Sequence, residues 1–284
     1  MKDKIIQALD VKKGISAIVV DCSTAAIQLA RGHLSGPVAS NCLSQALAAV
    51  SILGVELDAK EEVVSFKMTC PGPLGGFLVE STKAHTLRGY TNKKIFEDFD
   101  GVENPSDINL IGPSATFEII RSIPGKITAS GSVAVEIKNK DKSSIARGLE
   151  ESFSKSFQRR AKIALATMSE DGGVPIFARG ILVECMPDGD IDAYNEICKF
   201  FDDETILKSM SSQMFSSATL LNKLPEVKME VRSEDPVSFM CRCSAERAAS
   251  MIAALPDKSE LPPTLDVTCH MCGRTWTIRT GNKE

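Results

Sequence analysis

The chain has 284 residues, 43% of them hydrophobic, with 33 Lys and Arg set against 37 Asp and Glu for a formal net charge of −4. That length suffices for at least one full core plus something smaller, while the slight acidity argues against nucleic acid as a partner, because that binding relies on Lys and Arg to neutralise phosphates. The longest helical apolar run, around Ala46 to Leu53, is far short of the roughly 20 residues of a membrane span, and the charged start Met1-Lys2-Asp3-Lys4 carries no secretory or transit signal, so a cytoplasmic setting without a membrane partner is expected.

Residues 1–187 read as one α/β unit. Gly14 to Val20 is rich in β-branched residues and predicts a strand, whereas Leu43, Ala46, Leu47, Val50 and Leu53 recur at helical spacing. Pro37 and Gly54 stand at the start and end of that helix, where helix punctuation places them. Strands are predicted over 62–69, 76–82 and 85–91, with Pro71-Gly72-Pro73-Leu74-Gly75-Gly76 turning the chain between the first two. Further strands follow at 116–121 and 126–137, the second alternating through Ile127, Ala129, Val133, Val135 and Ile137. After a helix over 144–158, the segments 162–168 and 175–186 predict a hairpin about the polar loop Ser169 to Gly173. Strands in groups with helices inserted, without strict βαβ alternation, point to an α+β fold, a mixed α/β layered core.

Residues 188–236 change character. Phe200, Phe201, Met210, Met214, Phe215, Leu220 and Leu221 recur at helical periodicity among charges and serines. Two readings stand side by side: helices packed on the core, or a linker whose flexible Met-, Phe- and Leu-rich surface adapts to different partners. Asp188 and Asp190 around Gly189 read as a solvated loop, and the charged stretch 226–235 as a short connection.

The small C-terminal module, 237–284, holds Cys241-Arg242-Cys243 and Cys269-His270-Met271-Cys272. Two close pairs of thiols match the four soft ligands of a tetrahedral Zn²⁺, one ion per chain. Residues two apart in an extended segment face the same side, and Gly273 follows the last cysteine where a left-handed backbone is often needed. Between the pairs Ser244 to Leu255 predicts a helix, with Glu246 favouring its N-terminus, and Thr275 to Ile278 alternates like a strand. His270 is not needed as a ligand when four thiolates fill the tetrahedron. Cys22, Cys42, Cys70, Cys185 and Cys198 are scattered, mostly beside apolar residues, and read as core. His33 and His85 are isolated. With no Ser/His/Asp set, nucleotide-binding glycine pattern or paired carboxylates, no catalytic residue is assigned and no enzyme is expected.

Three readings compete for the cysteine cluster. It is a static structural zinc site, a thioredoxin-like redox motif, or a switch in which the metal site is the sensor. The second is weakened because a strand pattern, not a helix, follows the Cys-x-x-Cys pair. Zinc contributes about 10–16 kcal/mol to the folding of finger-type peptides, against about 5–15 kcal/mol for the stability of a whole domain. Oxidation of the thiolates removes the ligands, so an oxidant can become local unfolding. Spacing alone does not choose between the first and third readings.

Phe239-Met240-Cys241-Arg242-Cys243-Ser244-Ala245-Glu246-Arg247 and Val267-Thr268-Cys269-His270-Met271-Cys272-Gly273 together resemble the terminal signature of the heat shock protein 33 family of redox-regulated chaperones. The likeness extends to Pro71-Gly72-Pro73-Leu74-Gly75, to Arg88-Gly89-Tyr90, and to Gly180-Ile181-Leu182-Val183 leading into Met186-Pro187. The resemblance implies a holdase without ATPase activity. The reduced form is inactive, with Zn²⁺ on Cys241, Cys243, Cys269 and Cys272. Oxidation joins Cys241 to Cys243 and Cys269 to Cys272, releases the ion and unfolds the linker, which then captures unfolding client proteins, usually as a homodimer. The linker residues Phe200, Phe201, Met210, Met214, Phe215, Leu220 and Leu221 become the candidate client-binding set. The alternative is a constitutive zinc-ribbon interaction module on an α/β scaffold.

Overall fold

A computed structural model describes residues 2–102, 106–138, 143–257 and 261–280. The chain opens with the hairpin β1 (Lys4–Asp10) and β2 (Ile15–Asp21), then α1 (Ser23–His33) and α2 (Pro37–Gly54). The meander β3 (Val63–Thr69), β4 (Gly76–Thr82), β5 (Thr86–Thr91) precedes the single turn α3 (Asp107–Ile111) and the long hairpin β6 (Ser114–Ile123), β7 (Lys126–Glu136). Next come α4 (Ser144–Lys155), β8 (Arg160–Ser169) and β9 (Pro175–Cys185), followed by α5 (Ile191–Asp202), α6 (Thr205–Met210) and α7 (Ser217–Leu221). The chain then runs through β10 (Glu230–Pro236), β11 (Ser238–Phe239), α8 (Ala245–Ala253), β12 (Thr264–Thr268) and β13 (Thr275–Arg279).

Two sheets, ordered β10-β1-β2-β9-β8 and β11-β5-β4-β3-β6-β7, enclose α1, α2 and α4 between them. α2 lies in the middle. It is apolar on most of its surface, and such a helix is stable when it is buried nearly all round. Its 18 residues have a mean hydropathy of 1.3, enough by length and composition to cross a membrane, yet 78% of them are buried inside the fold. Of its polar positions, Ser40, Ser44 and Ser51 are buried, with Ser51 Oγ donating to Leu47 O at 2.7 Å, while Asn41 and Gln45 accept from Ser169 Oγ at 3.0 Å and Ser143 Oγ at 2.6 Å. Phe66, Phe77 and Phe117 from the six-stranded sheet and Ile5, Val20 and Leu182 from the five-stranded sheet share one core cluster with α2. The fold is therefore the layered α+β arrangement that the grouped strands implied.

The five-stranded sheet is apolar on both faces, because strand neighbours point to opposite sides. Ile6, Ala8, Ile15, Ala17, Val19, Phe177, Ile181 and Val183 face away from α2, and α5, α6 and α7 cover them as a second apolar cluster. Residues of that kind contribute about 1.5–3 kcal/mol each when fully buried, which is why the amphipathic helices lie flat on the sheet.

Several elements differ from the sequence reading. The charged stretch 226–235 was expected as a connection, but Glu230–Pro236 is an edge strand paired antiparallel with β1, Lys4 opposite Pro236. Most of its side chains are exposed, so it carries no apolar alternation, and only backbone pairing defines it. Charges on an edge strand also discourage further pairing. Asp190 is no plain solvated loop residue. It caps α5 by accepting from Ala193 N and pairs with Lys13 at 2.7 Å. α1 and β1 were not anticipated, since both are short and mix apolar with polar residues.

Candidate metal centre

β11 runs parallel to β5, with Ser238 beside Thr86 and Phe239 beside Leu87, and the Met240 N–H donates to Leu87 O at 3.1 Å. This short pairing delivers Cys241 and Cys243 to the edge of the six-stranded sheet. The second pair stands at the tip of the β12–β13 hairpin, just beyond the Thr268–Thr275 rung. There the Cys269 N–H donates to Arg274 O at 2.8 Å, and the Gly273 N–H returns to Cys269 O at 2.9 Å. The turn requires φ of 73° at Gly273, the left-handed position the sequence anticipated.

All four thiols are free, and their sulfurs lie within 4.8 Å of one another. Cys241 Sγ is 3.7 Å from Cys269 Sγ, and Cys243 Sγ is 3.5 Å from Cys272 Sγ. A tetrahedron with metal–sulfur bonds of about 2.3 Å has edges of about 3.8 Å, so the donor set fits Zn²⁺ in size as well as softness. The cluster contains the four sulfurs and not His270, whose ring instead meets Tyr90 edge-on at a centroid distance of 4.1 Å.

Crowding sets Cys241 apart from Cys243 and Cys272 electrostatically. Burial opposes the Cys241 thiolate, but donation from the Cys243 N–H and from the neighbouring thiols outweighs it and holds Cys241 below the ordinary cysteine value. Arg88, paired with Glu80 at 2.6 Å, also interacts with the Cys241 sulfur. Burial and then the adjacent sulfurs push Cys272 well up, and burial likewise raises Cys243. Sulfurs this close cannot all ionise without a cation among them.

The centre is built into the body of the protein. Cys272 is only 4% exposed and belongs to the main core cluster, against which Cys241, Cys243 and Cys269 also pack. The Gly89 N–H on β5 donates to Met271 O at 3.1 Å. His33, buried at the end of α1, places Nε2 2.8 Å from the Gly89 carbonyl. Burial lowers the imidazole below its usual value, so at neutral pH the uncharged ring donates Nε2–H to that carbonyl. The backbones touch as well: a Cβ on Gly32 would lie 2.5 Å from Cys272 O, and one on Gly273 would lie 1.9 Å from Gly32 O. His33 is therefore not isolated, as sequence reading had it. No local pattern announces a contact with partners so distant in the chain.

The linker positions fall on both sides of the packing. Phe201, Met210, Phe215, Leu220 and Leu221 are buried on the five-stranded sheet, and Phe200 is half-buried against the same cluster. Met214 is 91% exposed. Of the other cysteines, Cys22, Cys70 and Cys185 are buried and Cys42 and Cys198 half-buried. Burial raises all five thiols, which keeps them protonated and poorly reactive at neutral pH.

Fold and site together define a class: a layered α+β core carrying, in its C-terminal module, a four-cysteine cluster that could hold a metal ion. The family model described as Hsp33 protein matches residues 3–279, and the chain belongs to the Hsp33 family. It is similar to the 33 kDa chaperonin of Lachnoclostridium phytofermentans, 22% identical over 97% of this chain and 95% of that protein. The 33 kDa chaperonin of Bacillus cereus is 26% identical over 97% and 95%. Among solved structures, the 33 kDa chaperonin (heat shock protein 33 homolog) of Thermotoga maritima superposes with a TM-score of 0.82 at 17% identity, covering 99% of this chain and 96% of that one.

Proposed function

We propose that the protein is a redox-regulated, ATP-independent holdase of the cytoplasm. In this reading it comprises a core (1–187), a helical linker (188–236) and a switch module (237–284). The reduced protein is inactive, with Zn²⁺ held by Cys241, Cys243, Cys269 and Cys272, where the ion supplies the charge that keeps four thiolates together. The carrying observation is a metal-sized set of four reduced sulfurs on a module with little apolar core of its own: among the described residues its separate cluster has Ala248, Ile252 and Ile278 as buried members. A module so built depends on its ligands for folding.

An oxidant such as a peroxide or hypochlorous acid accepts an electron pair from each cysteine pair, forming Cys241–Cys243 and Cys269–Cys272 disulfides. The ligand set is then gone and the module opens. Release of the linker would bare Phe200, Phe201, Met210, Phe215, Leu220 and Leu221, next to the exposed Met214, together with the sheet face they cover. That surface receives unfolding client proteins, and the oxidised chain pairs as a homodimer.

The test measures zinc content, thiol state and suppression of client aggregation on one sample, before and after peroxide with mild heat. About one zinc per chain should be released, with suppression appearing only after oxidation. Equal suppression in both states refutes the switch. A constitutive zinc-ribbon module would instead work when zinc-bound and fail on oxidation. Cys243→Ser should lose zinc and be partly active without oxidant.

A further inference from the structure

Arg179 lies on β9 between Phe177 and Ile181, on the sheet face that the linker helices cover, and is only 7% exposed. A buried guanidinium is costly unless its charge and its donors are all answered. One answer comes from the core: Asp21, at the end of β2 and itself buried, accepts from Nε at 3.2 Å. Two more come from the linker. Nη1 donates to Met210 O and, at 2.9 Å, to Ser212 O. Met210 O is the last carbonyl of α6, of the kind that a helix itself cannot satisfy, and Ser212 O lies in the turn after it, where it also accepts from the Phe215 N–H at 3.2 Å. The guanidinium plane is also flanked by two rings, Phe177 from the core at 4.9 Å and Phe215 from the linker at 4.3 Å.

We propose that Arg179 is a latch, the positioning residue that fixes α6 and the turn after it on the five-stranded sheet and so sets how readily the linker leaves. This rests on the switch reading of the site. Apolar burial alone holds the helices without direction, since it scales with area and tolerates sliding. The guanidinium supplies direction through two carbonyls and one ring, all contributed by the segment that must depart. When the linker lifts, water reaches Arg179 and replaces those partners, while Asp21 keeps its counter-charge, so the core survives the opening.

Arg179→Lys is the informative variant. It keeps a cation beside Asp21 but loses the planar fork and the stacking that lysine cannot reproduce. Phe215→Leu removes the linker's ring and leaves the ion pair untouched. Hydrogen exchange on the full-length, reduced, zinc-loaded protein is read separately for α5–α7 and for β1–β2. The latch requires linker amides to exchange on the order of tenfold or more faster in Arg179→Lys and measurably faster in Phe215→Leu. β1–β2 protection and zinc content should stay at wild-type levels. Wild-type linker exchange in both variants overturns the latch, and so does loss of protection spreading to β1–β2 in both. Oxidised wild-type protein tested for aggregation suppression separates the two ideas: its failure would sink the switch reading while the exchange result still judges the latch.

Discussion

Replacing Gly32 with alanine sets two physical effects against each other. Gly32 lies in the last turn of α1, where Ala is ordinarily the better helix former by about 0.5–1 kcal/mol. Considered alone, the substitution should stabilise the protein. The new Cβ, however, would stand 2.5 Å from Cys272 O, where ordinary contact begins near 3.4 Å, so the metal-binding turn must retreat by about 0.9 Å. Crowding of that kind costs about 1–3 kcal/mol. The retreat also stretches the 3.1 Å Gly89–Met271 hydrogen bond, which is worth about 0.5–1.5 kcal/mol. Docking should therefore lose more than the helix gains, by about 1–3 kcal/mol, which corresponds to roughly fivefold to a hundredfold more frequent opening of the module. A coloured chelator that captures released zinc would report this as faster transfer from the reduced protein and faster release under peroxide. If Gly32→Ala raises the melting temperature and leaves both rates at wild-type values, the module does not rest on α1 in solution.

Zinc affinity should depend steeply on pH. Cys243 and Cys272 are held above the ordinary cysteine value, so in the metal-free protein at neutral pH both carry protons that zinc must displace. The sign follows: affinity falls as pH drops, by at least about a hundredfold per unit because at least these two protons are displaced, and chelator competition showing a flat profile would refute it. Ser244→Ala removes the side-chain acceptor that caps α8 through Arg247 N at 3.2 Å, at a cost of about 1 kcal/mol. With so small a separate core in the module, that loss should appear as several-fold weaker zinc binding by calorimetric competition, and unchanged binding would mean α8 is not coupled to the metal.

The sequence is most readable where a local period is set by burial on a single scale. α2 announces itself because Leu43, Ala46, Leu47, Val50 and Leu53 recur at helical spacing and Pro37 and Gly54 mark its ends. The cysteine pairs are equally plain, since ligand spacing is a local property. Periodicity fails where backbone alone makes the structure, as in β10, whose side chains mostly face solvent while its main chain pairs with β1. It also cannot rank neighbours on an amphipathic helix or its flanks: Met210 and Met214 look alike in sequence, yet one is fully buried and the other 91% exposed. The docking of the metal turn was invisible for a different reason. It depends on Gly32, His33 and Gly89 meeting a hairpin more than 180 residues away by number, through carbonyls and amide groups that every residue possesses.

That docking bears on how the site could work as a switch. A four-thiolate cluster on a free module would report only its own oxidation. Here Cys272 is shared with the main core, and the turn that carries it touches both α1 and β5. α1 begins at Ser23, whose hydroxyl donates to Asp21, and Asp21 in turn holds Arg179 beneath the linker. The helix is 11 residues long, about 16 Å at the usual rise, so one rigid element has the metal turn at one end and the support of the linker latch at the other. Losing the metal removes the reason for four sulfurs to stay together, and the turn that follows them then loses its fit to Gly32. The end of α1 would be left with an unoccupied backbone groove, and strain relieved there is felt at Ser23 only if the helix moves as a body. A double-mutant cycle between Gly32→Ala and Arg179→Lys, read by linker hydrogen exchange, decides this: independent sites give additive effects, whereas transmission through α1 requires a coupling beyond about 0.5 kcal/mol.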